Sequence, residues 1–369
     1  MHLHPYSSIA EQFAPYTQVL NLHEFGNGNI NDTFLVTVES ALPEEQQFVL
    51  QRINTQVFKH PKLIMQNMRA FTEHVRRRAR EEGHLWEMPR VIPACDGQDF
   101  YIDGEGNFWR AISYVHGARS FETIKDTALA REVGYALGTF QYLISDLPIQ
   151  MLSDTLEGFH IMPRYLQNFD RAFAHNGFRR SAEVNYCLDF VEQRRTLAHV
   201  LENAREQGKL QLRPVHGDPK VNNVMIDEIT GRAISLVDLD TVKPGLIHYD
   251  IGDCLRSGCN PLGEETEDWE AVQFEPEIGA AILEGYLTQA RNFLTEADYY
   301  YLFDSIRLLS FELGVRFFTD YLDGNVYFKV KHPQHNLQRA LVQFKLTESI
   351  EAYEADIRHI IQGMVSPAL

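Results

Sequence analysis

Residues 213–257 read RPVHGDPKVNNVMIDEITGRAISLVDLDTVKPGLIHYDIGDCLRS, and the reading of this stretch decides the fold. Two short apolar runs, Val224 to Ile226 and Ile234 to Val237, are separated by a polar segment with Thr230-Gly231 as its turn. The pattern predicts a β-hairpin. The loop entering its first strand carries His216, Asp218 and Asn223, and the second strand runs straight into Asp238 and Asp240. One end of the hairpin therefore gathers carboxylates and an amide.

That set of side chains suits phosphoryl transfer from ATP. The reaction asks for a carboxylate to orient and deprotonate the attacking hydroxyl, and for oxygen ligands to Mg²⁺. Asp218 with Asn223 five residues later fits a loop of the form H-x-D-x-x-x-x-N, with Asp218 as base and Asn223 as metal ligand. Asp238 is the second ligand expected, and His216 supports the loop by hydrogen bonding.

HGDPKVNN and VDLD resemble the aminoglycoside phosphotransferase and choline kinase group of small-molecule kinases. The run DLDTVKPGLIHYDIGDCLRS, with QRIN at residues 51–54, is most similar to the branch containing N-acetylhexosamine 1-kinase. The resemblance implies an α+β, protein-kinase-like fold of two lobes. Residues 1–117 would form a small β-rich N-lobe with the nucleotide loop and hinge, and 118–369 a mainly helical C-lobe with the metal site and acceptor pocket. It further implies ATP as substrate, Mg²⁺ as cofactor, and a sugar acceptor, the anomeric hydroxyl of an N-acetylhexosamine first; an amino alcohol, an aminoglycoside or another hexose stays open. One departure is that Leu239 and Asp240 stand where protein kinases carry Phe-Gly.

Towards the N-terminus, Leu20 to Phe25 and Thr33 to Val38 read as strands joined by a turn rich in small residues. Gly26, Asn27, Gly28 and Asn29 are candidates to bring backbone N–H groups onto phosphates. Phe48 to Ile53 alternates as a third strand, where kinases hold a phosphate-contacting lysine. No lysine is present; Arg52 is the candidate cation, with Gln51 on the opposite face by the two-residue period. A helix is expected over His60 to Glu82, and Glu73 on it is the candidate partner for that cation. Further strands are expected at 90–93, 99–102 and 107–115. In the resembled family SYVHG at 113–117 is the hinge, so Tyr114 and Val115 are candidates to meet the adenine through their backbone.

Beyond the hinge, the patterns predict helices over 126–147, 159–173, 182–207, 275–286, 296–321 and 336–363. His160, Arg164 and Tyr165 lie within reach of an acceptor in such an arrangement, and His160 in its apolar setting also suits a structural role. After the metal site, D-x-G-D at Asp250 to Asp253 resembles an element in which the first Asp braces the catalytic loop; Asp253 and Arg256 are candidates to brace it or touch substrate.

The 369 residues, 44% apolar, are enough for two domains sharing a cleft, and a net charge of −17 argues against nucleic acid or an anionic membrane as partner. The N-terminus has no basic segment followed by an apolar run, so a cytoplasmic location is expected. The four cysteines lack metal-ligand spacing and are expected to be buried free thiols. Two rival readings compete with the kinase. A two-metal hydrolase would use His216, Asp218, Asp238, Asp240, His248, Asp250 and Asp253 as ligands; an inactive kinase-like binding module would rest on the missing strand lysine.

Overall fold

Alternation of apolar residues builds one antiparallel sheet near the N-terminus. The structure is a computed structural model that describes residues 5–365, except 15–16, 27, 29, 43–44, 176 and 178–179. After the short helix α1 (Ser7–Ala10) come β1 (Val19–Glu24), β2 (Asp32–Val38) and β3 (Gln47–Ile53), then α2 (Pro61–Glu82), β4 (Val91–Ile92), β5 (Tyr101–Ile102) and β6 (Phe108–Ser113). The sheet order is β1-β2-β3-β6-β4, with β5 also on β6. Both faces are covered. Phe34, Val36, Phe48, Leu50 and Trp109 pack under the N-terminal segment with Ala10 and Phe13. Val49, Ile53, Phe108 and Ile112 pack on the other face with Met65, Met68, Phe71 and Val75 of α2. With both faces buried, a one-residue slip would exchange every contact, so the register is strongly specified.

From Ser113 the chain passes through 114–117 to β7 (Ala118–Arg119), which pairs with β9 (Val224–Asp227); β9 in turn pairs with β10 (Ala233–Leu236). This is the hairpin read from the sequence, with a third strand added. A second small ribbon joins β8 (Arg213–Val215) to β11 (Lys243–Gly245).

Helices make up the rest: α3 (Thr127–Ile144), α4 (Met162–His175), α5 (Ala182–Arg194), α6 (Val200–Glu206), α7 (Ile247–Gly258), α8 (Pro276–Ala290), α9 (Glu296–Tyr300), α10 (Leu302–Leu322), α11 (His335–Ala352) and α12 (Glu354–Val365). Asp126 caps α3 by accepting from the Leu129 N–H at 2.8 Å. Helices α3 and α8 cross in backbone contact: a Cβ at Gly134 would overlap the Ile282 carbonyl, and one at Gly285 the Arg131 carbonyl. The expected helix over 182–207 is interrupted by a 3-10 turn at Arg195–His199, where Arg195 turns to Asp170 of α4. Cys187, Cys254 and Cys259 are buried free thiols, whereas Cys95 is exposed and donates to the Gln12 carbonyl. No helix among the described residues is long and apolar enough to cross a membrane.

Candidate active site

The loop between β8 and β9 is shaped by backbone contacts before any catalytic side chain enters. Gly217 has φ +87°, and a Cβ there would lie 2.7 Å from the Thr241 carbonyl oxygen, so only glycine fits. The buried Asp250 carboxylate accepts from the N–H groups of His216 at 2.9 Å and Gly217 at 2.7 Å. Gln141, itself held by the Tyr286 hydroxyl, donates to Asp250 at 3.0 Å. His216 Nδ1 accepts from the Asp218 N–H at 3.2 Å and its Nε2–H donates to the Val237 carbonyl at 3.1 Å, which fixes a neutral tautomer. Burial likewise lowers its pKa. His216 is thus a brace between the loop and the strand leading to Asp238.

Asp218 is half-buried, with Lys220 Nζ 3.2 Å from its carboxylate. The Asn223 amide nitrogen donates to the Asp218 carbonyl at 2.7 Å and lies 3.3 Å from its carboxylate, leaving the amide oxygen free to serve a metal. The Val237 N–H donates to the Asn223 carbonyl at 2.9 Å, and this strand contact sets Asp238 beside Asn223. Asp238 adopts φ 62°, a left-handed conformation that costs about 1 kcal/mol or more for a non-glycine residue. Strain of this kind is retained where it aims a functional group. Asp238 is exposed on the cleft, and the crowding of protein around it, then the like charges of Asp218 and Asp240, raise its carboxyl above the usual carboxylate range. It forms no ion pair among the described residues.

Asn223 and Asp238 offer a hard, all-oxygen donor pair in a crowd of carboxylates, which fits Mg²⁺. The hydrolase ligand set is scattered instead. His216 and His248 are both turned onto backbone carbonyls, Asp250 onto backbone N–H groups, and Asp253 onto Arg256 Nε at 2.9 Å. Among the described residues, no three His, Cys, Asp or Glu side chains form a metal cage.

Asp240 is buried and ion-paired with Arg110 of β6, and it accepts from Asn31 at 2.6 Å. Asn31 also takes the Asn54 N–H at 2.9 Å, so one amide ties the Gly-rich turn to the end of β3 and to the loop that carries Asp238 and Asp240. Gly26 is exposed with φ +77° and Gly28 is exposed nearby; Asn27 and Asn29 lie outside the described residues. Phe25 sits edge-on to Tyr114 with ring centroids 5.8 Å apart, which places the turn beside the hinge. Tyr114 is half-buried and Val115 buried, and their peptide groups have no protein partner among the described residues.

Two expected positions are corrected. Arg52 pairs with Asp32 at 2.6 Å and lies over the rings of Tyr6 and Trp109, on the sheet face away from the cleft. The register aligns Arg52 with Trp109 and Gln51 with Arg110, so it is Gln51 that faces the site. Gln51 accepts from Arg110 Nε at 2.9 Å and the terminal nitrogen at 2.6 Å. Glu73 does not reach a strand cation; it is exposed and pairs with Arg69 at 2.9 Å, because Met68, Phe71 and Thr72 take the inward phase of α2. The residues missed are Arg110, Lys220 and Asn31. Arg110 had a signal: a lone cation in the apolar run FWRAIS, two residues before Ile112 on one face.

Further along the cleft, Arg316 lies 5.1, 5.2 and 5.5 Å from the ring centroids of Phe159, Tyr165 and Phe328, and it makes no ion pair among the described residues. Of the acids whose charge reaches it, Glu312 is paired with His160 and Asp218 with Lys220. Arg164 is exposed and pairs with Glu157.

A β-rich lobe and a helical lobe, with a half-buried carboxylate, an amide and a strained aspartate gathered between them, fit a phosphotransferase with a hydroxyl acceptor. The chain belongs to the phosphotransferase enzyme family (APH), which residues 21–295 match. Among solved structures, it is similar to an aminoglycoside phosphotransferase from Alicyclobacillus acidocaldarius, at 16% identity over 94% of this chain and 93% of that one, with a TM-score of 0.56. A microcompartment-associated aminopropanol kinase shares 17% identity over 95% and 98% of the two chains, with a TM-score of 0.59. Spectinomycin phosphotransferase in complex with ADP and spectinomycin shares 14% over 91% and 94%, with a TM-score of 0.53. At these identities the likeness is one of fold.

Proposed function

We propose that this enzyme transfers the γ-phosphoryl group of Mg-ATP to a sugar hydroxyl, the anomeric hydroxyl of an N-acetylhexosamine being the first candidate. The observation that carries the phosphoryl-transfer part is the convergence of Asp218, Asn223 and Asp238 at the end of one hairpin. The acceptor oxygen forms a bond to the γ-phosphorus while the bond from that phosphorus to the β–γ bridging oxygen breaks. ADP leaves with the electron pair, and the acceptor's proton passes to Asp218. Asn223 and Asp238 would hold Mg²⁺, which supplies charge neutralisation on the phosphates. Lys220 and Arg110 add fixed positive charge beside the base and behind the metal loop, and the open peptide groups at Tyr114 and Val115 suit the edge of an adenine.

The sugar reading draws on the charge balance of the acceptor wall. Aminoglycosides and aminopropanol, which name two of the similar proteins, carry amino groups that call for unpaired carboxylates. Here Glu312 and Asp218 each have a cationic partner, and the Arg316 guanidinium among aromatic rings has no ion-pair partner among the described residues. Such a surface favours an uncharged polyol, whose oxygens accept from a guanidinium and whose C–H faces lie on rings.

The test is ADP release from Mg-ATP against a panel of free hexoses, N-acetylhexosamines, amino alcohols and aminoglycosides, with the phosphate located by NMR. Turnover on N-acetylhexosamines, phosphorylated at the anomeric carbon, is the expected outcome. Preference for an amine-bearing acceptor would reject the sugar assignment while leaving the kinase in place.

A further inference from the structure

His160 stands apart from every other histidine among the described residues. It is buried, takes the left-handed conformation with φ 63°, and lies in the segment entering α4. Both ring nitrogens face oxygens: Nδ1 is 2.8 Å from a carboxylate oxygen of Glu312, and Nε2 is 2.6 Å from the Gly217 carbonyl. Neutral imidazole has one N–H, so two such contacts call for the doubly protonated ring, with the buried Glu312 as its counter-charge. Burial works against that charge, but Glu312 and the Gly217 carbonyl outweigh it and raise the pKa above the ordinary histidine value. The ring is walled by Phe159, at 3.9 Å between centroids, and by Tyr249, at 5.3 Å.

The contact to Gly217 falls on the peptide that joins Gly217 to Asp218. The N–H of that same peptide donates to His216 Nδ1 at 3.2 Å. The two histidines therefore grip both polar ends of one peptide in matched protonation states, a cation on the carbonyl and a lone pair on the N–H. Asp250 grips the preceding peptide. Neither Glu312 nor His160 is used by the transfer step itself, and the second oxygen of Glu312 is buried without a partner. Glu312 lies one helical turn before Arg316 on α10, and Phe159, next to His160, lies beneath Arg316.

We infer that His160, backed by Glu312, is a positioning residue for phosphoryl transfer: it fixes the Gly217–Asp218 peptide, and with it the aim of the Asp218 carboxylate, against the acceptor wall carried by α10. The inference rests on Asp218 being the base. A misaimed base slows the chemical step and leaves nucleotide binding alone, because no nucleotide contact passes through His160.

The experiment compares His160→Asn, Glu312→Leu, Glu312→Gln and Asp218→Asn by steady-state ADP release from Mg-ATP, both with N-acetylglucosamine and with water as the acceptor. ATP affinity is measured by calorimetry without acceptor. Asn tolerates the left-handed backbone, so His160→Asn removes the hydrogen bond without adding strain. Its kcat should fall about 30-fold while the KM for ATP and the calorimetric affinity stay within about 2-fold. Glu312→Leu should cost about 10-fold, and Glu312→Gln only about 3-fold, since the glutamine amide can donate to Nδ1 of a neutral ring whose Nε2–H still reaches Gly217. An unchanged kcat in His160→Asn with only a lower Tm, or ATP affinity lost in step with kcat, overturns the inference. So do equal rates for the two Glu312 variants, which decide the matter if His160→Asn does not fold. Asp218→Asn keeps the two failures apart: full hydrolysis in that variant rejects the base assignment itself, whatever His160 does.

Discussion

The two faces of the N-terminal sheet carry the same chemistry to different ends. On the outer face Arg52 pairs with Asp32, and both side chains keep about a third of their surface in water, at 33% and 37%. On the inner face Arg110 pairs with Asp240, at 1% and 2%. An exposed pair gains little over its two hydrated ions, whereas a buried pair leaves a stranded charge when one partner is removed. The difference also assigns roles: the inner pair joins the sheet to the loop that carries Asp238 and Asp240, and the outer one joins neighbouring strands β2 and β3.

The largest contrast lies between two substitutions one strand apart. Arg110→Met should destabilise by about 3–5 kcal/mol in denaturant unfolding, since Asp240 is left buried and unpaired, and should cut ADP release about 100-fold. Arg52→Met should cost less than about 1 kcal/mol and change turnover less than about 2-fold. Equal losses in the two variants would break the comparison.

Gln51→Leu sharpens it from within the inner face. It leaves the Arg110–Asp240 pair but takes away the acceptor for two guanidinium N–H groups, for a loss of about 1.5–3 kcal/mol in the same measurement. A neutral outcome would mean that Arg110 is held by Asp240 alone.

The smallest effect is a pH dependence on the outer face. Partial burial works against the charge on Asp32, but Arg52 and Lys329 outweigh it and hold the carboxyl below the usual carboxylate range. Its folded pKa is the lower one, so its contribution is present above the unfolded value near 3.8 and is lost as pH falls through the folded value. Asp32→Asn should thus cost less than about 1 kcal/mol at pH 7, and the gap from the parent should close in thermal melts on acidification below about pH 4. A gap that widens in acid would contradict the assignment.

Much of this was legible in the sequence for identifiable reasons. The strands expected at 33–38 and 48–53 announce themselves by alternation, those at 20–25 and 107–115 by short apolar runs beside turn residues, and the hairpin by its turn. Periodicity says that Gln51 and Arg52 face opposite ways; it does not say which faces the cleft. That phase is set by pairing with β6, 55 or more residues later in the chain, so Arg110 stayed hidden in an apolar run. Helix α7 carried no expectation, because His248, Asp250, Asp253 and Arg256 interrupt the apolar pattern. Each is buried with a tertiary partner, on Asp298, on the loop peptides, or on one another. His160 was legible as a buried histidine but not as a clamp, since Glu312 and Gly217 come to it from 152 and 57 positions away.

The crossing of α3 and α8 also bears on how the molecule can move. Where side chains separate two helices, small rotamer changes let them slide, and many enzymes close by summing such sliding steps. Here Gly134 and Gly285 set backbone against backbone, and no adjustable layer lies between them at the crossing. Sliding is blocked there, so the helical part behaves as an anvil whose shape does not yield at that crossing.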